Sequence, residues 1–347
     1  MSKSASQQTI LVTGASGFMA THIISSFLSV GYNVRGTVRS EKSAEGVKKS
    51  HPEYASQLSF AIVPDIAAPH AFDEAVKDVD GVIHNASPFA FDVKDNEKEL
   101  LNPAIQGTKG CLEAVKKFAP KVKRVVVTSS FAAIVDMSKG TRPGYTYTEK
   151  DWNPCTYEEA KKGDGAVAYC ASKAFAERAA WEFGKDPEVK FDVVTICPPM
   201  VYGPSNHAVP DMKKLNTSSA DIYRFINGST KEPGDTAFPL CVDVRDVATA
   251  HLKAYEVPEA SNQRFAVTSG NFTYQRVCDI IREKFPELKN KVPEGNFGEA
   301  YPDFFTLSNE KAKKVLEIEF IGLEEMVVDT VKSLLELEKA AGESGSK

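Results

Sequence analysis

The sequence lacks the features that would assign the chain to a membrane or to a nucleic-acid-binding class. No run approaches the roughly 18 apolar residues that a membrane span needs, and residues 1–8 are polar, without the apolar core of a secretory leader. The formal net charge is -5, so no overall basic field attracts nucleic acid or an anionic membrane. We therefore expect a cytoplasmic protein, monomeric or homodimeric, that acts on a small molecule.

Cysteine and histidine are scarce and scattered. The six cysteines show no CxxC spacing, and no pair of the six histidines stands at metal-ligand spacing. Because we expect a reduced intracellular chain, we predict neither structural disulfides nor a metal site.

What the first half does contain is an alternation of short β-branched runs with helical patterns. This alternation predicts an α/β fold with a doubly wound (Rossmann) parallel sheet. The predicted strands cover 9–13, 33–38, 58–63, 81–84, 124–128 and 191–197, with helices near 18–30, 70–76, 97–118 and 166–183.

After Cys197, six prolines and Gly203 at positions 198–239 break the pattern into short pieces before helices resume near 245–255, 274–285 and 323–341. We predict a large domain over 1–198, to which a segment near 240–260 returns, and a smaller C-terminal lobe mainly over 199–347. The division predicts that the first part binds a cofactor and the lobe binds the substrate.

The first predicted strand runs into a glycine-containing loop that opens a helix. Gly14 permits a tight turn, Gly17 lets the backbone approach a phosphate, and the small Ala20 lets the helix pack closely. An ordinary strand-to-helix turn is the alternative, but this context is typical of dinucleotide binding. The loop also places three further residues at the diphosphate: Ser16, Phe18 and Met19.

Arg39 occupies the position just past the second strand, where NAD-preferring proteins usually carry an acid. A guanidinium there suits a 2′-phosphate, so we predict NADP(H), with Lys42 as a second phosphate ligand. A solvated surface arginine is the alternative, and Glu41 would favour NAD if it turned inward. The rest of the dinucleotide is expected to contact residues after the third and fourth strands: Asp65, Ile66, Ala86 and Ser87.

Three side chains form a predicted catalytic set. Tyr169 and Lys173 share one face of a helix, and Ser130 follows the fifth strand, next to Thr128. Reduction of a carbonyl by hydride leaves an alkoxide, which Tyr169 would protonate while Ser130 holds the oxygen. Lys173 would lower the pKa of Tyr169 and bind the nicotinamide ribose. Taken by itself, Ser130 also fits an ordinary turn serine, and Tyr169 with Lys173 also fits an exposed tyrosine beside a solvated lysine.

The glycine loop, the segment Thr128-Ser129-Ser130 and the pair Tyr169 and Lys173, at their separations along the chain, resemble the motifs of the extended short-chain dehydrogenase/reductase superfamily. Further segments resemble the fungal NADPH-dependent methylglyoxal and aldehyde (carbonyl) reductases, relatives of plant dihydroflavonol reductases. They include Ala86-Ser87-Pro88-Phe89, Asp151-Trp152-Asn153-Pro154 and Val242-Asp243-Val244-Arg245-Asp246. The resemblance covers nearly the whole chain.

The resemblance implies a Rossmann domain with a C-terminal substrate lobe, and reduction of aldehydes and ketones to alcohols by NADPH. It implies catalytic roles for Ser130, Tyr169 and Lys173, and it adds cofactor contacts at Thr128, Pro198 and Val201. The substrate pocket would be lined by Phe89, Phe131 and Tyr202. In one departure, Ala104 stands where the superfamily often has a relay asparagine, so we expect water to connect Lys173 to solvent.

Two other functions remain open from the sequence. An NAD-dependent nucleotide-sugar epimerase or dehydratase would use the same scaffold but regenerate its cofactor in each cycle. A non-catalytic regulator that senses NADP(H) would need the glycine loop but not the catalytic set.

Overall fold

The structure, a computed structural model, describes residues 4–87, 93–207, 209 and 211–344. The strands in chain order are β1 (Thr9–Val12), β2 (Asn33–Val38), β3 (Leu58–Ile62), β4 (Gly81–His84), β5 (Arg124–Thr128), β6 (Thr146–Tyr147), β7 (Asp192–Cys197), β8 (Met200–Tyr202), β9 (Leu240–Asp243), β10 (Arg264–Ala266), β11 (Gly270–Asn271) and β12 (Thr306–Leu307).

Seven of these strands form a parallel sheet in the order β10-β7-β5-β4-β1-β2-β3. Strand order reverses between β1 and β4, which is the crevice where open α/β sheets bind ligands. There are two small sheets: β11-β9-β8 lies in the later part of the chain, whereas β12-β6 pairs residues 306–307 with residues 146–147. The predicted doubly wound α/β fold is confirmed.

The helices are α1 (Phe18–Ser29), α2 (Glu41–Ser50), α3 (Asn102–Phe118), α4 (Tyr157–Lys162), α5 (Gly165–Gly184), α6 (Thr217–Ile226), α7 (Val244–Glu256), α8 (Tyr274–Lys284), α9 (Glu310–Leu316) and α10 (Leu323–Ser344). A single π-helical turn, Glu97–Leu101, leads into α3. The turn ends two residues before Pro103, which lacks the N–H that a regular helical turn would need.

Helices cover both faces of the large sheet. Ile10 and Val12 of β1 belong to the core under α1 and α7, whereas Leu11 belongs to the core under α3 and α5. This alternation explains why the strands are apolar throughout, since both of their faces are buried. A separate core joins α6, α8 and α10 in the later part of the chain.

The six predicted strands agree with the structure to within one residue at each end. The predicted helix at 70–76 is wrong, because residues 69–78 form successive turns. His70 and Asp78 adopt φ angles of 64° and 60°, and left-handed residues do not continue an α-helix. Strand β10 was not predicted; it returns to the edge of the large sheet after α7.

All six cysteines are free thiols, and five of them are buried. Burial raises the pKa of each thiol, to about 12 for Cys111, Cys170, Cys197, Cys241 and Cys278. It also raises the pKa of the half-buried Cys155.

The described residues give no sign of a membrane segment or a metal cluster. No helix among them is both long and apolar enough to cross a bilayer. In the same ranges, no group of three or more His, Cys, Asp or Glu side chains is arranged to hold a metal ion.

Candidate active site

The glycine loop packs tightly against the ends of β2 and β4. Gly14 adopts φ +69°, and a Cβ there would lie 3.1 Å from the Cα of Ala86. Its amide donates to Thr37 Oγ1 at 3.0 Å, and Thr13 Oγ1 accepts from the amide of Ala86 at 2.9 Å. The loop therefore requires glycine at this position, for both its conformation and its close contact.

The loop leaves the N-terminus of α1 accessible. Gly17 is the N-cap of α1; it and Ser16 are exposed, while Phe18 and Met19 are half-buried in the first turn. A first helical turn has N–H groups without intrahelical acceptors, and the helix dipole there favours an anion. This end of α1 has the geometry of a phosphate-binding site.

The predicted 2′-phosphate ligands lie at the start of α2. Arg39 and Lys42 are both exposed and flank Ser40, whose side chain caps α2 by accepting from the amide of Ser43. Glu41, the first residue of α2, is exposed as well.

The segment after β3 forms a turn beside α3. Asp65 Oδ1 accepts from the amide of Ala67 at 2.9 Å. Ile66 packs over α3, where a Cβ on Gly107 would approach its Cδ1 to 3.3 Å. Asp65 is exposed and Ile66 is half-buried.

The structure brings the three predicted catalytic residues together. Ser130 lies close enough to Tyr169 for its hydroxyl to lower the pKa of the phenol, while Ser130 Oγ is 3.4 Å from the Pro198 carbonyl, to which it donates. Lys173 Nζ lies 5.5 Å from the centroid of the Tyr169 ring. Lys173 also donates to Ser87 Oγ at 2.7 Å. The set thus joins α5 to the carboxyl ends of β4 and β5, beside the glycine loop.

Burial controls the protonation of this site. Desolvation lowers the pKa of Lys173 to about 8, so its ammonium form still predominates at neutral pH. Burial raises the pKa of Tyr169 above its usual value, and the nearby Ser130 hydroxyl opposes this increase. The expectation that Tyr169 has a lowered pKa is therefore wrong for this structure, because desolvation of the phenolate outweighs the other effects.

Three further predicted cofactor contacts are partly or wholly engaged within the protein. Thr128 Oγ1 lies 2.7 Å from His251 Nε2. His251 Nδ1 lies 2.8 Å from the Val247 carbonyl, to which it must donate, so Nε2 is the acceptor and Thr128 donates to it. The Pro198 carbonyl accepts from the Phe131 amide at 2.8 Å. Val201 is buried in the core of the large sheet.

The predicted pocket residues lie mostly in cores. Phe131, which is 2% exposed, packs edge-on against Tyr147 and tilted against Phe305. Tyr202 is also 2% exposed, and its hydroxyl donates to Asp221 Oδ2 at 2.7 Å. Phe89 lies outside the described residues. A cavity of about 560 Å³ has Phe305 in its wall, together with Val135 and Met137.

Sequence reasoning missed a buried ion pair behind this site. Glu177 of α5 and Arg264 of β10 pair through Oε1 and Nε at 2.7 Å, with side chains 0% and 7% exposed. The sequence position of Glu177 could have predicted its burial, because Glu177 stands one turn beyond Lys173, on the helix face that is turned toward the sheet. An acid on that face requires a buried partner.

The fold and the site define a Rossmann-type dinucleotide-binding protein with a serine, tyrosine and lysine set. The sequence model of the NAD dependent epimerase/dehydratase family matches residues 10–268, and the chain belongs to this family.

Individual relatives match over nearly the full chain. A putative uncharacterized oxidoreductase of Schizosaccharomyces pombe is 43% identical, over 95% of this chain and 98% of the relative. The NADPH-dependent methylglyoxal reductase GRE2 of Saccharomyces cerevisiae is 40% identical, over 95% and 99%. The crystal structure of the yeast methylglyoxal/isovaleraldehyde reductase Gre2 complexed with NADPH superposes with a TM-score of 0.87, at 39% identity and over 95% and 99%. The resemblance to the fungal reductases is confirmed.

Proposed function

We propose that this protein is an NADPH-dependent carbonyl reductase that converts aldehydes and ketones to alcohols. The observation that carries the proposal is the proximity of the Ser130 hydroxyl to the Tyr169 phenol, with Lys173 beside the Tyr169 ring. The pair stands at the carboxyl edge of the sheet, and Lys173 binds the segment against which the glycine loop packs. Such a set serves general acid catalysis next to a dinucleotide.

The residues present fit NADPH. The close approach of Gly14 to Ala86 leaves no room for a side chain in the loop, and the accessible end of α1 suits a diphosphate. Arg39 and Lys42 offer two cations for the 2′-phosphate. Asp65, Ile66 and Ala86 would contact the remainder of the nucleotide.

Bound NADPH supplies a hydride to the substrate's carbonyl carbon. Ser130 and Tyr169 would both donate hydrogen bonds to the carbonyl oxygen, which stabilises the negative charge that develops there. Tyr169 would then transfer its hydroxyl proton to that oxygen. The raised pKa of Tyr169 keeps the phenol protonated before the reaction, and the ammonium of Lys173 would stabilise the phenolate that remains.

The relatives support a reductase over the alternatives. Besides the methylglyoxal reductase, a ketoreductase of Aspergillus niger is 41% identical to this chain. A structurally similar epimerase is only 21% identical, which shows a shared fold alone. A purely regulatory protein would have no use for the catalytic set.

The substrate is a small carbonyl compound that binds between the edge of the sheet and the later part of the chain. The cavity bounded by Val135, Met137 and Phe305 offers an apolar wall for the part of the substrate distant from its carbonyl group. Residues 1–198 would hold the cofactor and the lobe over 199–347 would shape the pocket. We expect the enzyme to act in the cytoplasm, as a monomer or homodimer.

Initial rates of NADPH and NADH consumption test the proposal. The panel comprises methylglyoxal, aliphatic and aryl aldehydes, β-keto esters and a dihydroflavonol. We expect stoichiometric NADPH oxidation with at least one class, and slower oxidation of NADH. Tight NADPH binding without turnover on any of them would favour the regulatory alternative, whereas turnover of a nucleotide sugar without net NADPH loss would favour the epimerase.

A further inference from the structure

The carboxylate of Glu177 joins four elements behind the catalytic set. Its Oε1 accepts from Thr195 Oγ1 of β7 at 2.8 Å and from Arg264 Nε of β10 at 2.7 Å. Its Oε2 accepts from Ser129 Oγ at 2.6 Å and from a second nitrogen of Arg264 at 3.0 Å. The Trp181 indole, on α5 itself, adds a fifth donor. A carboxylate that is completely buried requires this many partners.

One of these bonds leads directly to the catalytic serine. Ser129 immediately precedes Ser130. Two backbone hydrogen bonds also hold this segment: the Ser129 amide donates to the Ile196 carbonyl and the Phe131 amide donates to the Pro198 carbonyl, both at 2.8 Å. The Ser129 hydroxyl is the side-chain link from this segment to the carboxylate on α5.

The same helix carries Tyr169. Tyr169, Lys173 and Glu177 follow one another at four-residue intervals, so they lie on one stripe of α5. Glu177 therefore connects α5, the helix that carries Tyr169, to the segment after β5 that carries Ser130.

We propose that Glu177, through its hydrogen bond from Ser129, is a positioning residue for carbonyl reduction: it holds Ser130 in register with Tyr169. The inference rests on the proposed function, because it assigns a catalytic consequence to this register. A displacement of about 1 Å in a reacting geometry can reduce turnover 100-fold, so small shifts of Ser130 are expected to be visible in kcat.

Two substitutions, each of which removes one hydroxyl donor to the Glu177 carboxylate, separate an effect on the position of Ser130 from an effect on stability. Ser129→Ala removes the bond that leads to Ser130 and leaves the Arg264 pair intact. Thr195→Val, the matched control, removes a donor of similar length that comes from β7 instead. Glu177→Leu and the double variant Ser129→Ala with Glu177→Leu complete a mutant cycle.

We expect Ser129→Ala to lower kcat per active site about 10-fold while KM for NADPH changes less than about 2-fold. Thr195→Val should keep kcat within about 2-fold of wild type, and the double variant should be no slower than Glu177→Leu alone, because leucine has no acceptor for Ser129 and both changes break one link. Active sites are counted by NADPH fluorescence titration, and thermal unfolding records stability.

Three results would overturn the positioning role: unchanged kcat in Ser129→Ala, an equal loss in Thr195→Val, or losses that multiply in the double variant. Glu177→Leu leaves Arg264 buried without its charge partner and could fail to fold; the comparison of Ser129→Ala with Thr195→Val then decides alone. Wild-type enzyme without any carbonyl turnover would overturn the proposed function as well, whereas normal wild-type turnover beside an unaffected Ser129→Ala refutes the positioning role only.

Discussion

Lys173 Nζ donates a hydrogen bond of 2.7 Å to Ser87 Oγ, across the gap between α5 and the end of β4. This contact ties the ammonium to the segment against which the glycine loop packs, so the glycine loop and α5, which carries the proposed proton donor, are connected through one pair of side chains. Ala104 stands where the superfamily often has a relay asparagine, and the Ser87 hydroxyl accepts from Lys173.

Replacing the proposed proton donor, Tyr169, should separate catalysis from binding. Tyr169→Phe is expected to lower kcat about 100-fold or more, as is typical for loss of a general acid, while the Kd for NADPH stays within about 2-fold. Stopped-flow rates and fluorescence titration measure the two quantities. Tyr157→Phe, which removes a hydroxyl bonded to Glu97 on a different helix, is the control. Near-normal turnover of Tyr169→Phe would remove this residue from its proposed role.

The start of α2 should determine cofactor preference. Arg39→Ala is expected to raise KM for NADPH about 10- to 100-fold, because a hydrogen bond to a charged group contributes about 1.5–3 kcal/mol. KM for NADH, which lacks the 2′-phosphate, should change by less than about 3-fold. Lys49→Ala, at an exposed position near the other end of α2, controls for the loss of a surface charge. Equal effects on both cofactors would show that Arg39 does not bind the phosphate.

Burial of Lys173 should appear in the pH dependence of stability. Its folded-state pKa of about 8 lies below the unfolded value of about 10.4, so the unfolded chain binds more protons between these pH values. The free energy of unfolding must therefore gain from this group as pH rises from about 8 to about 10.4, by at most about 1.4 kcal/mol per pH unit.

Urea unfolding of wild type and Lys173→Met at several pH values isolates this contribution. The stability of wild type minus that of the variant should increase with pH within the window. It should be constant below about pH 7, where Lys173 is charged in both states. A difference that stays flat throughout would mean that the ammonium is not desolvated.

The central strands of the sheet could be predicted from the sequence because the local residue pattern and the burial of both faces agree there. Strand β5 contains Val125, Val126 and Val127, and a continuous β-branched run of this kind is typical of a parallel strand that is buried on both faces. Strand β10 escaped prediction because Arg264 begins a strand of three residues. A buried arginine is tolerated only once Glu177, which is distant in sequence, has been brought beside it.

Within the candidate site, spacing located residues better than it located their partners. Tyr169 and Lys173 could be paired from the helical repeat, and Ser130 from its place after a strand. The engagement of Thr128 with His251 depends on how α7 packs against the sheet, which no local pattern reveals. The pKa of Tyr169 likewise depends on its surroundings in the folded chain rather than on its distance from Lys173 along the helix.

The six thiols have a chemical consequence for an enzyme that handles reactive aldehydes. With a pKa of about 12, only about one in 100,000 molecules of a buried cysteine is ionised at pH 7, and thiolates rather than thiols attack electrophilic carbonyl carbons. These five thiols are therefore poor nucleophiles at neutral pH, and covalent modification by an aldehyde substrate is expected to be slow at these positions.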